Sequence, residues 1–308
     1  MLGWFRAAAR QLPWRGVDDP YLVWISEVML QQTRVSAVIP YFERFIARFP
    51  TLQALAEAPE EDLLKAWAGL GYYSRARNLQ RAAISMTGEF PRTYDAIRAL
   101  PGVGDYTAAA VGSIAFGLAH AAVDGNVVRV IARLTEGLGD VRKEAEARLD
   151  RRRPGEFNEA MMELGATICL PRNPQCLLCP VAAFCAARAS GRQHEFPAKR
   201  DKKMVRADRS ILIIRRKGSL LFWRRPDSER KLAGFWELPE KEHLPLAEVG
   251  EILGTFRHSI TNVNNFFTIY EAQIPVKPIG YAWLPIDKPV EYLFSTTVRK
   301  ALQIIGRL

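Results

Sequence analysis

Four cysteines stand in one window of the 308-residue chain, CLPRNPQCLLCPVAAFC, at Cys169, Cys176, Cys179 and Cys185, and the sequence has no others. A secreted disulfide framework spreads its cysteines through a small domain. Four thiols in one short segment, two of them as C-x2-C, instead suit a set of thiolates closing on a metal centre. The spacing C-x6-C-x2-C-x5-C matches neither the common ferredoxin runs nor the paired C-x2-C motifs of zinc sites. By spacing alone, zinc and an iron–sulfur cluster both remain open.

A second stretch, LPGVGDYTAAAVGS (Leu100 to Ser113), has the glycines of a phosphate-binding loop. A dinucleotide fingerprint needs a strand leading into its glycines. Here Asp95 to Leu100 reads as helix, so that reading is set aside. Two helices joined by a tight glycine hairpin leave backbone N–H groups exposed at the second helix's N-terminus, where an anion is bound. Without a nucleotide fold around it, the phosphate belongs to a nucleic-acid backbone, which such a contact positions without reading its sequence. Taken alone, the same residues also serve as a plain helix–helix turn.

Composition agrees with a polyanionic partner. The 43 basic residues exceed the 33 acidic ones, giving +10 and a pI near 9.6. Nucleic acid is the commonest partner of such a chain, and a solubilising surface excess is the plainer explanation. No run approaches the roughly 20 apolar residues of a membrane span. The start, MLGWFRAAARQLPW, lacks the long apolar core of a signal peptide, so the expected location is the cytoplasm, at the nucleoid during action.

The elements that must hold these groups fall into two regions. From Asp19 to about Arg188 the periodicity is helical. Asp19 with Pro20 is a helix start, and Val35, Val38, Ile39, Phe42, Phe45, Ile46 and Phe49 form one apolar stripe. Helical patterns recur at Glu60 to Ala68, Ser74 to Met86, Tyr94 to Ala99, Tyr106 to Phe116, Asn126 to Leu134 and Phe157 to Cys169. After Cys185 the chain turns polar and basic, and then the period becomes two. SILIIRRKGSLLFWRR reads as two strands around a Lys217-Gly218 turn, NNFFTIYEAQI and GYAWLPI as further strands. Ser295 to Leu308 reads as a closing helix with Val298, Ala301, Leu302 and Ile305 inside. The expected fold is multidomain: an all-α domain over 1–188 with a helix-hairpin-helix at about 95–116 and the cysteine loop at 169–185. A basic linker over 189–208 and an α+β domain over 209–308 follow.

LPGVG leading into a helix, then VDGNVVRV, then C-x6-C-x2-C-x5-C, together resemble the helix-hairpin-helix DNA glycosylases that carry a 4Fe–4S cluster. Within them, SEVMLQQTRV (Ser26 to Val35) and GLGYYSRARNL (Gly69 to Leu79) are similar to the adenine-specific mismatch glycosylases of the MutY family. The resemblance runs from about Leu12 to Cys185 and continues more weakly beyond.

What the resemblance implies is specific. Cleavage of an N-glycosidic bond passes through an oxocarbenium-like state, which two carboxylates in different environments can serve. Glu27 is expected to be the general acid that protonates the adenine, and Asp124 to stay ionised against the sugar cation. Glu27 lies in the apolar run VWISEVML, where burial raises a carboxyl's pKa, although a lone Glu in such a helix more often tilts out to water. Tyr106 stands where the endonuclease III branch has its Schiff-base lysine, so a monofunctional enzyme without a lyase step is expected. Tyr106 and Asn126 are expected to hydrogen-bond around Asp124. Gln32 and Tyr72, with Leu70 nearby, take the positions that fill the gap left by a flipped nucleotide. Gly102 and Gly104 hold phosphate, and Trp14, Arg15 and Glu159 shape the adenine pocket. Cys169, Cys176, Cys179 and Cys185 would hold one 4Fe–4S cluster, with a cation at the hairpin as a further candidate ligand, no nucleotide cofactor, and Arg172 as a phosphate contact from the cluster loop.

The second region resembles the Nudix-like domain that reads 8-oxoguanine, LAGFWELP (Leu232 to Pro239) fitting the start of that pattern. KEHLPLAEVGEIL lacks the acidic Nudix box, so no pyrophosphatase activity is expected. The lesion-reading loop corresponds to FRHSITN, with Arg257, His258, Ile260, Thr261 and Asn262, the last in place of the family's usual histidine. The expected partner is double-stranded DNA with adenine opposite 8-oxoguanine or guanine, bound by a monomer, and no membrane. An endonuclease III-like pyrimidine or thymine glycosylase, a non-catalytic iron–sulfur DNA-binding protein and a Nudix-type hydrolase are the competing readings.

Overall fold

The Asp19 side chain accepts a hydrogen bond from the Tyr21 amide, and Pro20 fills the first turn, so helix starts where these residue types favour it. A computed structural model describes residues 1–86, 88–198, 203–226, 228–229, 232–260, 262–286 and 292–306. The chain divides into two compact units, Met1–Ala66 with Arg75–Arg200, and Trp67–Ser74 with Asp201–Leu308.

The first unit is helical. Its elements are α1 (Leu2–Ala8), α2 (Pro20–Leu30), α3 (Val35–Arg48), α4 (Leu52–Glu57), α5 (Glu60–Trp67), α6 (Tyr73–Ser85), α7 (Tyr94–Arg98), α8 (Asp105–Phe116), α9 (Gly125–Leu134), α10 (Val141–Arg148), α11 (Pro154–Thr167) and α12 (Ala186–Ala189). α5 leads into the 67–74 segment and α6 leads out of it. α2 is buried on nearly every side, from Tyr21 and Val23 through Met29, and this carries Glu27 into the interior. α11 packs close to α8 and α9 through glycine. A Cβ on Gly155 would lie 2.6 Å from the Ser113 carbonyl oxygen, and one on Gly165 would lie 2.5 Å from Asn126 Cβ. Asn158 of α11, 2% exposed, donates to Ser113 Oγ and the His120 carbonyl and accepts from the Ala122 amide. It thereby ties down the loop that runs into Asp124.

α7 and α8 form the hairpin, with helix rather than strand before the glycines. The two glycines differ. Gly102 has φ +76°, and a Cβ there would meet Asn78 at 2.6 Å, so only glycine fits. Gly104 has φ −99° with open space at its Cβ position, so the turn itself does not require it, contrary to the sequence expectation.

Among the described residues, the second unit holds a six-stranded mixed sheet and one α-helix. Its strands are β1 (Val205–Arg216), β2 (Ser219–Arg224), β3 (Trp236–Glu237), β4 (Glu248–Ile260), β5 (Val263–Gln273) and β6 (Tyr281–Pro285), followed by α13 (Thr296–Ile304). The order is β3-β2-β1-β5-β4, with β6 on β2. Lys217 (φ +46°) and Gly218 (φ +82°) make the tight β1–β2 turn. β1 pairs parallel with β5 through Val205–Ile214 and turns to β2 only at Arg215 and Arg216. One face of the sheet packs Ile211, Ile213, Phe222, Phe267 and Ile269 beneath α13, whose N-cap Ser295 accepts from the Val298 amide. The other buries Leu212, Ile214, Leu221, Leu244 and Ala272.

Two segments differ from what their sequence suggests. β1 begins at Val205, inside the stretch read as linker, because Arg206, Asp208 and Arg209 are strand residues whose side chains remain in water. FRHSI is not loop but the end of β4, a thirteen-residue edge strand paired with β5 up to Ile260 opposite Val263. β4 is exposed over most of its length and shows no apolar alternation, so periodicity could not find it.

Candidate active site

A cleft of about 610 Å³ in the first unit gathers Trp14, Arg15, Glu27, Gln32, Gly102, Gly104, Tyr106, Asp124, Asn126 and Glu159. Buried α2 brings Glu27, and the hairpin brings Gly102, Gly104 and Tyr106. The start of α9 adds Asp124 and Asn126, and α11 adds Glu159.

Glu27 is 5% exposed. Burial pushes its carboxyl up to about 7, the nearby Asp124 and Glu159 charges add to this, and a hydrogen bond from Tyr106 opposes it. The Tyr106 hydroxyl donates to Glu27 Oε2 and lies 3.2 Å from Met162 Sδ. This corrects the sequence expectation: Tyr106 engages Glu27, not Asp124. Burial and the two carboxylates raise the phenol well above its usual range, so the tyrosine is a fixed donor.

Asp124 is the N-cap of α9. One oxygen accepts from the Val127 amide at 2.7 Å, the other from Asn126 Nδ2 at 2.8 Å. Burial raises this carboxyl too, but the Val127 and Asn126 donors and the Arg129 guanidinium pull it back toward ionisation. Arg129 in turn donates to Asn126 Oδ1, the Gly165 carbonyl and the Cys169 carbonyl. Both carboxyls are thus raised by burial, Glu27 to about 7, while in Asp124 the Val127 and Asn126 donors and Arg129 oppose the rise.

The pocket wall carries an alternating chain of charge. Arg15 Nε lies 3.4 Å from Glu159, and Arg15 Nη2 lies 3.1 Å from Glu163. Arg10 grips Glu163 through Nε at 2.7 Å and Nη2 at 2.9 Å. Burial raises Glu159, which Arg15 only partly offsets; in Glu163 the two arginines outweigh burial and lower it. Sequence reasoning missed Arg10, Glu163, Met162, Arg129 and Asn158. For Glu163 a signal existed, since it follows Glu159 by one helical turn and shares its face of α11.

The remaining predicted residues lie elsewhere. Leu70 and Tyr72 belong to the 67–74 segment of the second unit. Leu70 is buried, and Tyr72, with φ +49°, is half exposed, so of the two only Tyr72 is presented to solvent. Gln32, which lines the cleft, also has a left-handed backbone, φ +58°. Ile260 and Asn262 are exposed at the β4–β5 turn, and Thr261 lies outside the described residues. Arg172 is exposed in the cysteine loop.

The four cysteines are half-buried thiols in loop and short helical turns. Burial raises Cys179 and Cys185, and the other thiols raise them further, so the four sulfurs share one neighbourhood. Among the described residues no three metal-ligating side chains converge as one metal ion requires, whereas the corners of a cubane hold their four thiolates further apart. Arg133, 2% exposed, donates to Cys169 Sγ at 3.2 Å and to the Leu170 carbonyl, and the Cys185 thiol donates to the Arg133 carbonyl at 3.4 Å. An all-thiolate set beside a buried cation suits an anionic cluster.

A buried acid and a capped carboxylate over a glycine hairpin, with a thiolate loop behind, define the class. Residues 25–154 match the HhH-GPD superfamily of base excision DNA repair proteins, and residues 169–185 match the iron–sulfur binding domain of endonuclease III. The cysteines therefore hold a 4Fe–4S cluster. The structure of a thermostable thymine-DNA glycosylase is similar at 32% identity and TM-score 0.58, over 61% of this chain and 93% of that one. A non-covalent endonuclease III–DNA complex is similar at 26% and 0.54, over 62% and 92%. The human adenine DNA glycosylase is 33% identical over 99% of this chain and 73% of its own length. The chain belongs to the adenine DNA glycosylase family.

Proposed function

We propose that this chain is a monofunctional glycosylase that hydrolyses the N-glycosidic bond of adenine mispaired with 8-oxoguanine or guanine in duplex DNA. The observation that carries it is the pairing in one cleft of Glu27, pushed up to about 7, with an Asp124 whose rise by burial is opposed by the Val127 and Asn126 donors and by Arg129. The flipped adenine enters the cleft beside Arg15 and Glu159. Glu27, oriented by the Tyr106 hydroxyl, gives its proton to the departing base. The Asp124 carboxylate stabilises the positive charge that develops on the sugar, and water completes the hydrolysis at the anomeric carbon.

Absence of a lyase step is supported by the lining of the cleft, which includes no lysine among the described residues, position 106 being tyrosine. Cys169, Cys176, Cys179 and Cys185 would hold the cluster as a structural anchor for the loop, and Arg172, exposed in that loop, would contact a DNA backbone. We read the second unit as a Nudix-like domain that recognises the lesion through the β4–β5 turn. One duplex site needs one copy of the chain, so we read it as a monomer.

The test is single-turnover excision on duplexes with adenine opposite 8-oxoguanine, guanine or thymine, with and without alkali. Alkali-dependent cleavage, fastest opposite 8-oxoguanine, is the expected result. Excision of thymine instead would favour the pyrimidine branch, and a borohydride-trapped wild-type complex would overturn the monofunctional assignment.

A further inference from the structure

The β4–β5 hairpin carries opposite charge at its two ends. At the open end Glu248, Glu251 and Glu271 are exposed. At the turn end, cations stand on both faces of the sheet. On one face Phe266 of β5 is half-buried and flanked by two guanidinium groups, Arg206 of β1 centred 4.3 Å from the ring and Arg257 of β4 at 5.9 Å. Register explains the cluster, since Arg257 is directly opposite Phe266, and Arg206 is opposite Asn264, two residues away on the same face. On the other face the α13 residue Lys300 brings Nζ to 3.5 Å from the Arg257 carbonyl and 3.4 Å from His258 Nδ1.

Among the described residues, these cations meet only weak counter-charge. Arg206 pairs with Asp208 at 2.8 Å, but both side chains are about two-thirds exposed, at 67% and 68%, and such a pair is weak in water. Arg257 donates a 3.4 Å hydrogen bond to the neutral Asn264. Phe266 lies beside both guanidinium groups; Arg206 reaches Asp208 through Nε and Nη2, and Arg257 reaches Asn264 through Nη2, so the Nη1 edge of each is left for another acceptor. The acidic side chains lie roughly 16–30 Å away along the strands, at least about twice the ~8 Å screening length at physiological salt. The basic end therefore acts on an anion independently of the acidic one.

We propose that Arg206, Arg257 and Lys300 form a clamp for DNA backbone phosphates on either side of the β4–β5 turn. It supplies affinity and orientation for the second unit, not base identity, because phosphate contacts carry no sequence information. The proposal rests on duplex DNA being the substrate. Charge complementarity selects this occupant, since the chain as a whole is +10 and Arg206, Arg257 and Lys300 gather from β1, β4 and α13 at the turn end of the β4–β5 pair.

The experiment measures duplex affinity against salt for the full, cluster-loaded chain in a Glu27→Gln background, so that the substrate survives. R206Q/R257Q/K300Q is compared with a charge-matched control, K217Q/K241Q/K277Q. The slope of log affinity against log salt falls by about 0.9 for each phosphate that is no longer neutralised, about 2.7 for all three, while the control keeps the parental slope. An equal slope in the triple variant and the control overturns the clamp but leaves the DNA reading standing. A parent chain with no salt-dependent duplex binding overturns both. If the triple variant does not fold, R206Q and R257Q singly each lower the slope by about 0.9, and unchanged slopes in both overturn the clamp.

Discussion

The Tyr106 hydroxyl donates a hydrogen bond to Glu27 Oε2, joining the first turn of α8 to the middle of α2 across 79 residues of sequence. On the proposed reading, Tyr106 is thus the group that orients the proton donor. A hydrogen bond to the ionised form holds Glu27 below the value that burial alone would give. In Tyr106→Phe the alkaline limb of the excision pH profile is expected to move to higher pH, and its plateau to drop about tenfold as the carboxyl loses its fixed orientation. An unmoved limb would separate Tyr106 from the proton donor.

Glu27→Gln is expected to slow excision by about 10²–10⁴ while duplex affinity is kept. The same substitution has a stability signature with a definite sign. Glu27 has its ordinary carboxyl value in the unfolded chain and about 7 in the folded one, so wild type loses stability as pH rises from 4.5 through 7. Glutamine does not ionise. The variant should therefore be more stable than wild type by about 3 kcal/mol at pH 8, with the difference vanishing below about pH 4.5. Urea titrations at the two pH values measure it, and a constant difference would contradict a buried neutral acid.

Gly165→Ala places a methyl group 2.5 Å from Asn126 Cβ, and the nearby backbone cannot yield easily. Asn126 supplies a hydrogen bond to Asp124, so excision should fall more than stability does, a kcat loss of at least about tenfold with KM little changed. Equal loss from Gly155→Ala, which presses on α8 instead, would assign the effect to general packing.

Intact protein should contain about four iron and four sulfide per chain, and Cys176→Ser less. Loss of the cluster releases the loop that bears Arg172, so the salt slope of duplex binding should fall by about 0.9. The alkaline limb set by Glu27 should stay in place, because Cys176 is on a separate segment from the cleft lining. Stoichiometric zinc in place of iron would overturn the cluster assignment.

Both units are legible where signals are local. Asp19 and Ser295 cap their helices, Lys217-Gly218 turns the first hairpin, and helix precedes the glycines of LPGVG, all as residue types and short spacings require. The short helices α1, α4, α10 and α12 are not legible in this way. α4 buries only Leu55 and α10 only Ala145, so neither writes a period into its sequence, and their packing partners supply what propensity does not.

Sequence by itself determined the chemistry available: a glutamate inside an apolar run, an aspartate at a helix start, four clustered thiols and a tyrosine two residues past the hairpin's last glycine. Each is fixed by neighbours within a few positions, and the apolar run around Glu27 made its raised carboxyl foreseeable. Tertiary structure alone decided which groups meet. It set Tyr106 on Glu27 rather than Asp124, linked Arg10 and Arg15 through Glu163, and paired β1 with β5 so that Arg206 and Arg257 share Phe266. Those contacts join residues that are mostly tens to more than a hundred positions apart, and no local period or propensity encodes which distant side chain a folded backbone will bring into reach.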